Sequence, residues 1–242
     1  MKHKSILIAL YVLLQTSSFL LAGDGSITGT VKFDGEMPEM KPIRMGADPI
    51  CNMKHEVPAR TEWFVAGPNG KMQNVFVYIK EGLEGKNYPA PETAVTIDQI
   101  GCIYKPHVLG VRVGQALDIL NSDGTLHNVH ALPKEKGNKE FNEAMPAARK
   151  KITKSFNTPE VMVKVKCDVH PWMGAFIGVL DHPCFAVTDD SGKYTLDDLP
   201  PGTYTVEAWH EKIPAQTATV TIEGDESVTL DFIFKKPEKK KD

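Results

Sequence analysis

The chain has 242 residues, a hydrophobic content of 41% and a formal net charge of −3 at pH 7. This length accommodates one large or two small domains. The mild negative charge, with no basic stripe interleaved with aromatic residues, gives no reason to expect nucleic acid as a partner.

The first residues have the pattern of a secretory signal peptide. Lys2 and Lys4 precede an apolar run at 6–14, and polar residues 15–18 separate this run from a second one that ends at Ala22. This order predicts cleavage after Ala22. The polar patch argues against a retained membrane anchor, which needs about 20 apolar residues. We therefore expect an exported chain, periplasmic or extracellular, with no membrane span after the signal at 1–22 is removed.

Short segments with alternating apolar residues recur along the chain, separated by Gly, Pro and Asp. They lie at 25–33, 74–79, 95–97, 111–119, 203–209, 218–222 and 228–234. Many short strands with such turns predict an all-β protein built from sandwiches. The segment 134–154 is rich in Lys, Glu, Asn and Ala, and we expect it to be an irregular or partly helical insertion. The end of the chain, 236–242, is predicted to be a solvated charged tail.

Residues 160–173 combine a strand pattern with three metal-ligating side chains. Alternating valines place Cys167 at the end of the buried face of a strand. A tight loop follows with His170 and Met173. Two histidines and one cysteine with a weak axial methionine form a copper site of the electron-transfer type. Zinc does not usually bind methionine.

The second histidine of such a site has to come from a neighbouring strand. The segment 121–132 has a turn followed by His127-Asn128-Val129-His130. His127 shares the apolar face with Val129, whereas His130 falls on the opposite face. His127 is therefore the better ligand, and His130 is interpreted as a surface or supporting residue.

His-Asn-Val-His, followed 40 residues after its first histidine by Cys-x2-His-x2-Met, resembles the type 1 copper proteins, and within them the amicyanin-like cupredoxins. The resemblance covers roughly residues 72–180 and implies a Greek-key β-sandwich. It implies four ligands, His127, Cys167, His170 and Met173. It further implies that Asn128 joins the two ligand loops by hydrogen bonds. His170 would lie nearest the surface as the electron exit, beside an apolar docking patch of Pro171 and Trp172.

The function expected from this resemblance is one-electron transfer between redox proteins through one type 1 copper ion. Such a protein is an electron carrier and not an enzyme. Three alternatives remain open: a copper carrier or chaperone with the same ligands, a copper oxidoreductase with an open coordination position, and a metal-free adhesion or carbohydrate-binding module.

The C-terminal part has a different pattern. Residues 188–196 read Thr-Asp-x-x-Gly-x-Tyr-x-Leu, and 199–206 read Leu-Pro-Pro-Gly-Thr-Tyr-x-Val. This pattern resembles the carboxypeptidase regulatory-like, or transthyretin-like, β-sandwich, whose glycines and prolines form turns. We predict a copper domain at 23–183 and this small sandwich at 184–235. Because about 50 residues are few for a sandwich, the strand at 25–35 is expected to pair with the C-terminal module.

The remaining cysteines are Cys51, Cys102 and Cys184. In an exported protein a disulfide between Cys51 and Cys102 is the preferred interpretation, and it leaves Cys184 as an odd thiol. A second metal site that uses His55, His107, His130 or His182 is the alternative. His55 follows Cys51 by four positions and His107 follows Cys102 by five. Neither spacing is a known zinc pattern.

Overall fold

The computed structural model describes residues 24–236. The predicted signal peptide at 1–22, and the charged tail apart from Lys236, lie outside these residues. Within them, no helix has the length and apolar character that crossing a membrane requires.

The described residues form short strands almost throughout, which confirms the predicted all-β class. In chain order the elements are β1 Gly25–Asp34, α1 Pro49–Asn52, β2 Val65–Ala66, a 3₁₀ helix Pro68–Gly70, β3 Met72–Gln73, β4 Phe76–Glu81, β5 Val95–Ile100, β6 Ile103–Lys105, β7 Val108–Arg112, β8 Leu117–Asn121, β9 His127–Leu132, β10 Phe141–Met145, β11 Lys151–Lys154, β12 Glu160–Lys166, β13 Gly174–Leu180, β14 Phe185–Val187, β15 Lys193–Leu199, β16 Gly202–Trp209, β17 Gln216–Ile222, β18 Ser227–Thr229 and β19 Phe232–Lys235.

The first sandwich is formed by the strands from β5 to β13. A five-stranded sheet in the order β10-β9-β12-β13-β7 faces a four-stranded sheet in the order β11-β8-β5-β6. Alternation along β12 turns Val163 and Val165 inward, and Ile97 and Ile119 project from the other sheet into the same core. The sequence alternation therefore has the expected cause: one face of each sheet is buried against the other.

The second sandwich combines C-terminal strands with strands from the N-terminal third. One sheet has the order β14-β4-β16-β17, and the other has the order β15-β1-β18, with β19 also paired to β1. Residues 25–34 are antiparallel to β15 and parallel to β18 and β19. The first described strand thus completes a sheet whose other strands lie about 160 to 200 residues later, in agreement with the expectation that a 50-residue module needs an additional strand.

The strand β4 belongs to this second sandwich, although the sequence division assigned 76–81 to the copper domain. It pairs with β16 and β14. Both of its faces are buried, because Val77 and Ile79 enter the sandwich core while Phe76 and Tyr78 face the first sandwich. Burial on both faces gives an uninterrupted apolar run, which does not reveal the sheet to which a strand belongs.

The segment 134–154 is not an irregular or helical insertion, as the sequence analysis expected, but contains two strands. β10 pairs with β9, and β11 pairs with β8. Both are edge strands: in β11 the exposed Lys151 and Thr153 alternate with the buried Ile152, whereas in β10 the charged Glu143 lies on the same face as the buried Met145. The high charge of the segment is typical of edge strands, and it concealed the alternation.

Two glycines allow the sandwiches to pack closely. A Cβ on Gly110 of β7 would lie 2.1 Å from the ring of Phe185, and one on Gly178 of β13 would lie 2.4 Å from the ring of Phe76. These two rings stack on each other with centroids 5.5 Å apart. Only hydrogen at positions 110 and 178 lets the aromatic pair of the second sandwich lie flat against the first.

We predict that Gly178→Val destabilises the protein by about 1–3 kcal/mol or more, because the added atoms overlap the ring of Phe76 in a packed interface. Chemical denaturation measures this loss. The matched control is Gly46→Ala, since a Cβ at position 46 meets no atom within 4 Å. Equal stability of Gly178→Val and wild type would contradict the packing described here.

Candidate metal centre

The loop between β12 and β13 carries three of the four predicted ligands. Cys167 directly follows β12, and Met173 directly precedes β13. The amide of Met173 donates to the carbonyl of His170 at 2.9 Å, and the amide of His170 lies 3.3 Å from Sγ of Cys167. The loop is therefore closed by its own backbone between two paired strands, which hold the thiol and the imidazole in position.

The fourth predicted ligand, His127, begins β9. This strand pairs with β12, so that its first residue lies at the same end of the sheet as the Cys167 loop. The side chain is fully buried. Its position on the apolar side with Val129 agrees with the strand parity used in the sequence analysis.

Three donor atoms meet between these segments. Nδ1 of His127 and Nδ1 of His170 are 2.9 Å apart, and Sγ of Cys167 is 3.8 Å from Nδ1 of His170. The three side chains each offer one donor atom within 4.8 Å of the other two. All three are at most 2% exposed. Two imidazoles and a thiol thus converge in a buried position.

Asn128 connects the two ligand segments. Its Oδ1 accepts from the amides of Asp168 at 2.6 Å and Val169 at 3.3 Å, and it lies 3.3 Å from Sγ of Cys167. These contacts are the ones that the resemblance implied for this residue. They fix the loop backbone relative to β9, which also carries His127.

Met173 is buried in the same core cluster as Cys167. Its backbone closes the loop by two hydrogen bonds: the amide donates to the carbonyl of His170, and the carbonyl accepts from the amide of Cys167 at 3.3 Å. The role of its thioether as a metal ligand stays a prediction.

His127 is held from behind by a buried carboxylate. Its Nε2 is 3.0 Å from Oδ2 of Asp123, and Lys54 approaches the other oxygen of Asp123 at 3.3 Å. Burial alone would raise the pKa of Asp123, but the hydrogen bonds from His127, the amides of Cys102 and Gly101, and Lys54 lower it to about 2. Asp123 is thus a carboxylate that accepts from Nε2.

The electrostatics of the site favour a thiolate on Cys167 and a protonated imidazole on His127. Burial opposes a charge on His127, yet its hydrogen bonds to Asp123 and Cys167 raise its pKa to about 9. Burial likewise opposes the thiolate of Cys167, but hydrogen bonds from His127 and from backbone amides lower the pKa of this thiol. A metal ion that binds here replaces protons on these groups.

His170 is not the surface residue that the resemblance implied, since it is 2% exposed. A segment at 42–60, here named the cover segment, lies over it. The base of this segment is closed by a bridge between Pro42 and Arg60. Oδ2 of Asp48, at the start of α1, is 3.0 Å from Nε2 of His170.

A disulfide fastens the cover segment to the first sandwich. Cys51 and Cys102 are bonded, the pairing that the sequence analysis preferred. Sγ of Cys51 lies 3.6 Å from Nε2 of His170. Trp172 completes the enclosure, since its ring contacts His170 with centroids 5.0 Å apart and its Nε1 donates to the carbonyl of Cys102 at 3.0 Å.

Three of the four histidines considered for a second metal site make other polar contacts. Among residues 24–236, no group of converging metal donors includes His55, His107, His130 or His182. His55 contacts the carbonyl of Gly101, His107 bonds to Glu211, and His130 lies between Asp168 and Glu140. The remaining cysteine, Cys184, is a buried free thiol in the core of the second sandwich.

Sequence reasoning missed the two carboxylates, Asp48 and Asp123. Asp48 stands before Pro49 as the N-cap of a helix, and its side chain accepts from the amides of Ile50 and Cys51. That local signal was present in the sequence, but it does not reveal contact with a histidine 122 residues away. Asp123 lay within a recognised turn, where an aspartate is usually interpreted as stabilising the turn through hydrogen bonds to the backbone.

The donor set fits a copper ion. A thiolate and two imidazole nitrogens directed at one point are the ligands of a trigonal copper site, and carboxylates behind the imidazoles are the usual outer partners of metal-binding histidines. Fold and site together define a two-sandwich, all-β protein with an enclosed His–Cys–His centre.

Comparisons with known proteins found one matching family model. The model of the carboxypeptidase regulatory-like domain matches residues 171–235. A search among curated proteins found no match.

Solved structures of copper proteins are similar to part of the chain. A copper-containing nitrite reductase from Thermus scotoductus SA-01 is 22% identical over 39% of this chain and 24% of its own, with a TM-score of 0.33. The chain thus covers about a quarter of that enzyme. An amicyanin variant in the Cu(I) form is 22% identical over 36% of this chain and 81% of its own, with a TM-score of 0.32. A purple cupredoxin from Nitrosopumilus maritimus is 21% identical over 35% of this chain and 98% of its own, with a TM-score of 0.30.

We predict that the double variant Cys51→Ser, Cys102→Ser destabilises the protein by about 2–5 kcal/mol. Because this variant also loosens the residues behind His170, bound metal is expected to pass to a chelator about 10–100-fold faster. Denaturation and a chelator-competition assay measure the two effects. Cys184→Ala is the control, since it removes a buried sulfur far from the cover segment. An unchanged rate of metal loss would show that the disulfide does not hold the site closed.

Proposed function

We propose that this chain is a type 1 copper protein that carries single electrons between redox partners, with one copper ion held by His127, Cys167 and His170 and with Met173 as a weak fourth ligand. The observation that carries the proposal is the convergence of Nδ1, Nδ1 and Sγ in a buried position. Copper bound by this donor set supplies a one-electron couple between Cu(I) and Cu(II).

The residues around the donors have the properties that such a centre requires. Asn128 and the loop amides hold the thiolate of Cys167 in place. Two carboxylates hold the imidazoles by Nε2. A site fixed in this way changes little when the charge of its ion changes, and a small rearrangement favours rapid electron transfer. Burial excludes water and oxidants from the sulfur.

The enclosure supports a resident ion rather than a rapidly exchanged one. A carrier or chaperone needs an open route to its ligands, whereas His170 lies beneath the cover segment, which is attached by a disulfide. The disulfide also supports export, because such bonds persist in oxidising compartments. The periplasm or the extracellular space is therefore the proposed location.

Trp172 is the proposed contact for a redox partner. It is half-buried, touches His170 and lines a cavity of about 440 Å³ that also borders Cys167 and Met173. With His170 enclosed, this indole and the exposed Pro171 beside it lie between the donor cluster and solvent. The partner would approach on this side of the loop and not over His170.

The visible spectrum of the copper-loaded protein tests the proposal. We expect an intense sulfur-to-copper band near ~600 nm in the wild type and its loss in Cys167→Ser, because the band arises from thiolate coordination. Cys184→Ser is the matched control, another buried free cysteine, and it is expected to retain the band.

A colourless wild-type protein that holds no copper would contradict the proposal and leave a metal-free binding module. Rapid loss of copper to a weak chelator would favour the carrier. A spectrum that changes on addition of a small substrate would favour an enzyme with an open position.

A further inference from the structure

The contact between Asp48 and His170 joins the cover segment to the donor cluster. We propose that Asp48 is a positioning residue that fixes the ring of His170 with Nδ1 directed at the metal and that favours Cu(II) over Cu(I). This inference rests on the proposed copper function, and it assigns to the cover segment a part in setting the properties of the centre.

The orientation of the ring follows from what its two nitrogens face. Nε2 of His170 lies 3.0 Å from Oδ2 of Asp48. A carboxylate only accepts hydrogen bonds, so Nε2 carries the hydrogen and Nδ1 keeps its lone pair. Nδ1 faces the donor cluster, 2.9 Å from Nδ1 of His127. A ring turned by 180° would lose the carboxylate and direct the wrong nitrogen at the metal.

The same arrangement occurs on the other imidazole. Nε2 of His127 is 3.0 Å from Oδ2 of Asp123. The two carboxylates come from different parts of the chain, the cover segment and the turn before β9. Each imidazole thus has one nitrogen toward the cluster and one nitrogen on an aspartate, the arrangement that sets ring orientation and raises basicity in metal sites.

Asp48 is itself held firmly enough to position a ring. Its Oδ1 accepts from the amides of Ile50 at 2.8 Å and Cys51 at 3.3 Å, and Thr125 donates to Oδ2 at 3.3 Å. Cys51, three residues on, is tied to Cys102. The carboxylate therefore cannot rotate away from His170 without breaking the cap of α1.

The charges around the cluster favour the more highly charged ion. The Cys167 thiolate, Asp48 and Asp123 contribute three negative charges, and two positive charges come from Lys54, 3.3 Å from the carboxylate of Asp123, and Lys150, 3.5 Å from its carbonyl. In a site with few water molecules this surplus of negative charge stabilises a divalent ion more than a monovalent one. Removal of Asp48 is thus expected to shift the balance toward Cu(I).

Two substitutions separate the parts of this role. Asp48→Ser retains a good N-cap for α1 but is too short to reach His170. Asp48→Asn removes the charge and has a single side-chain oxygen, so that when this oxygen keeps the cap of α1, its NH2 group faces Nε2 in place of the accepting Oδ2. Asp118→Asn is the control, since Asp118 is a surface carboxylate paired with Lys151 and Thr153.

The reduction potential of the copper-loaded protein is the first readout. For Asp48→Ser we expect a 10–100-fold loss of Cu(II) affinity relative to Cu(I), which raises the potential by about 60–120 mV at 59 mV per tenfold change. Asp48→Asn, which loses both the charge and the acceptor at Nε2, is expected to raise it as well, and Asp118→Asn to leave it unchanged. A potential for Asp48→Ser equal to that of the wild type would overturn the proposal.

The second readout needs no copper. Nitrogen NMR of the metal-free protein, labelled in its histidines, is expected to show the Nε2–H form of His170 in the wild type, a mixture of forms in Asp48→Ser, and a shift toward the Nδ1–H form in Asp48→Asn, whose NH2 group donates to Nε2. Identical spectra for Asp48→Ser and wild type would overturn the positioning role. A wild type that shows the fixed form but binds no copper would refute the proposed function and leave the positioning of His170 intact.

Discussion

The structure depends on a pair of contacts between imidazole and carboxylate. The Nδ1 atoms of His127 and His170 are 2.9 Å apart, and both can be directed at one point only if each ring is held by its Nε2 on the opposite side. Asp123 holds Nε2 of His127 and Asp48 holds Nε2 of His170, each at 3.0 Å. Because Asp48 belongs to the cover segment, the contact requires that segment to fold back over the first sandwich. The disulfide, the bond from His55 to Gly101 and the ion pair of Lys54 all hold it there.

For the proposed electron transfer, enclosure of the site determines where electrons would enter and leave. In an open cupredoxin-type loop the second histidine would be the contact with solvent, whereas here it is covered by α1 and a disulfide. The loop instead presents Trp172 at the border of a cavity that runs toward His107 and Glu211. Glu211 follows β16 of the second sandwich, so both sandwiches line the side of the loop that stays open. The second sandwich thereby forms part of the approach to the centre.

Local pattern was sufficient to predict the donor cluster. Period-two alternation placed Cys167 and His127 on buried faces, and loop spacing placed His170 beside them. The same reasoning failed where contacts are distant in sequence. β4 is apolar on both faces, so its sequence does not tell which sandwich it joins, and the edge strands β10 and β11 appeared too charged to be strands. The cover segment has almost no regular structure, and its position follows from a disulfide, a buried Met45 and one carboxylate. None of these has a periodic signature.

The most direct test of the central claim is X-ray absorption at the copper edge of the loaded wild-type protein, which reports the atoms bound to the ion. We expect an inner shell of one sulfur and two imidazole nitrogens, since Cys167, His127 and His170 converge on one buried point. A shell of nitrogen and oxygen atoms without sulfur would contradict the account, because it would mean that copper binds elsewhere on the chain.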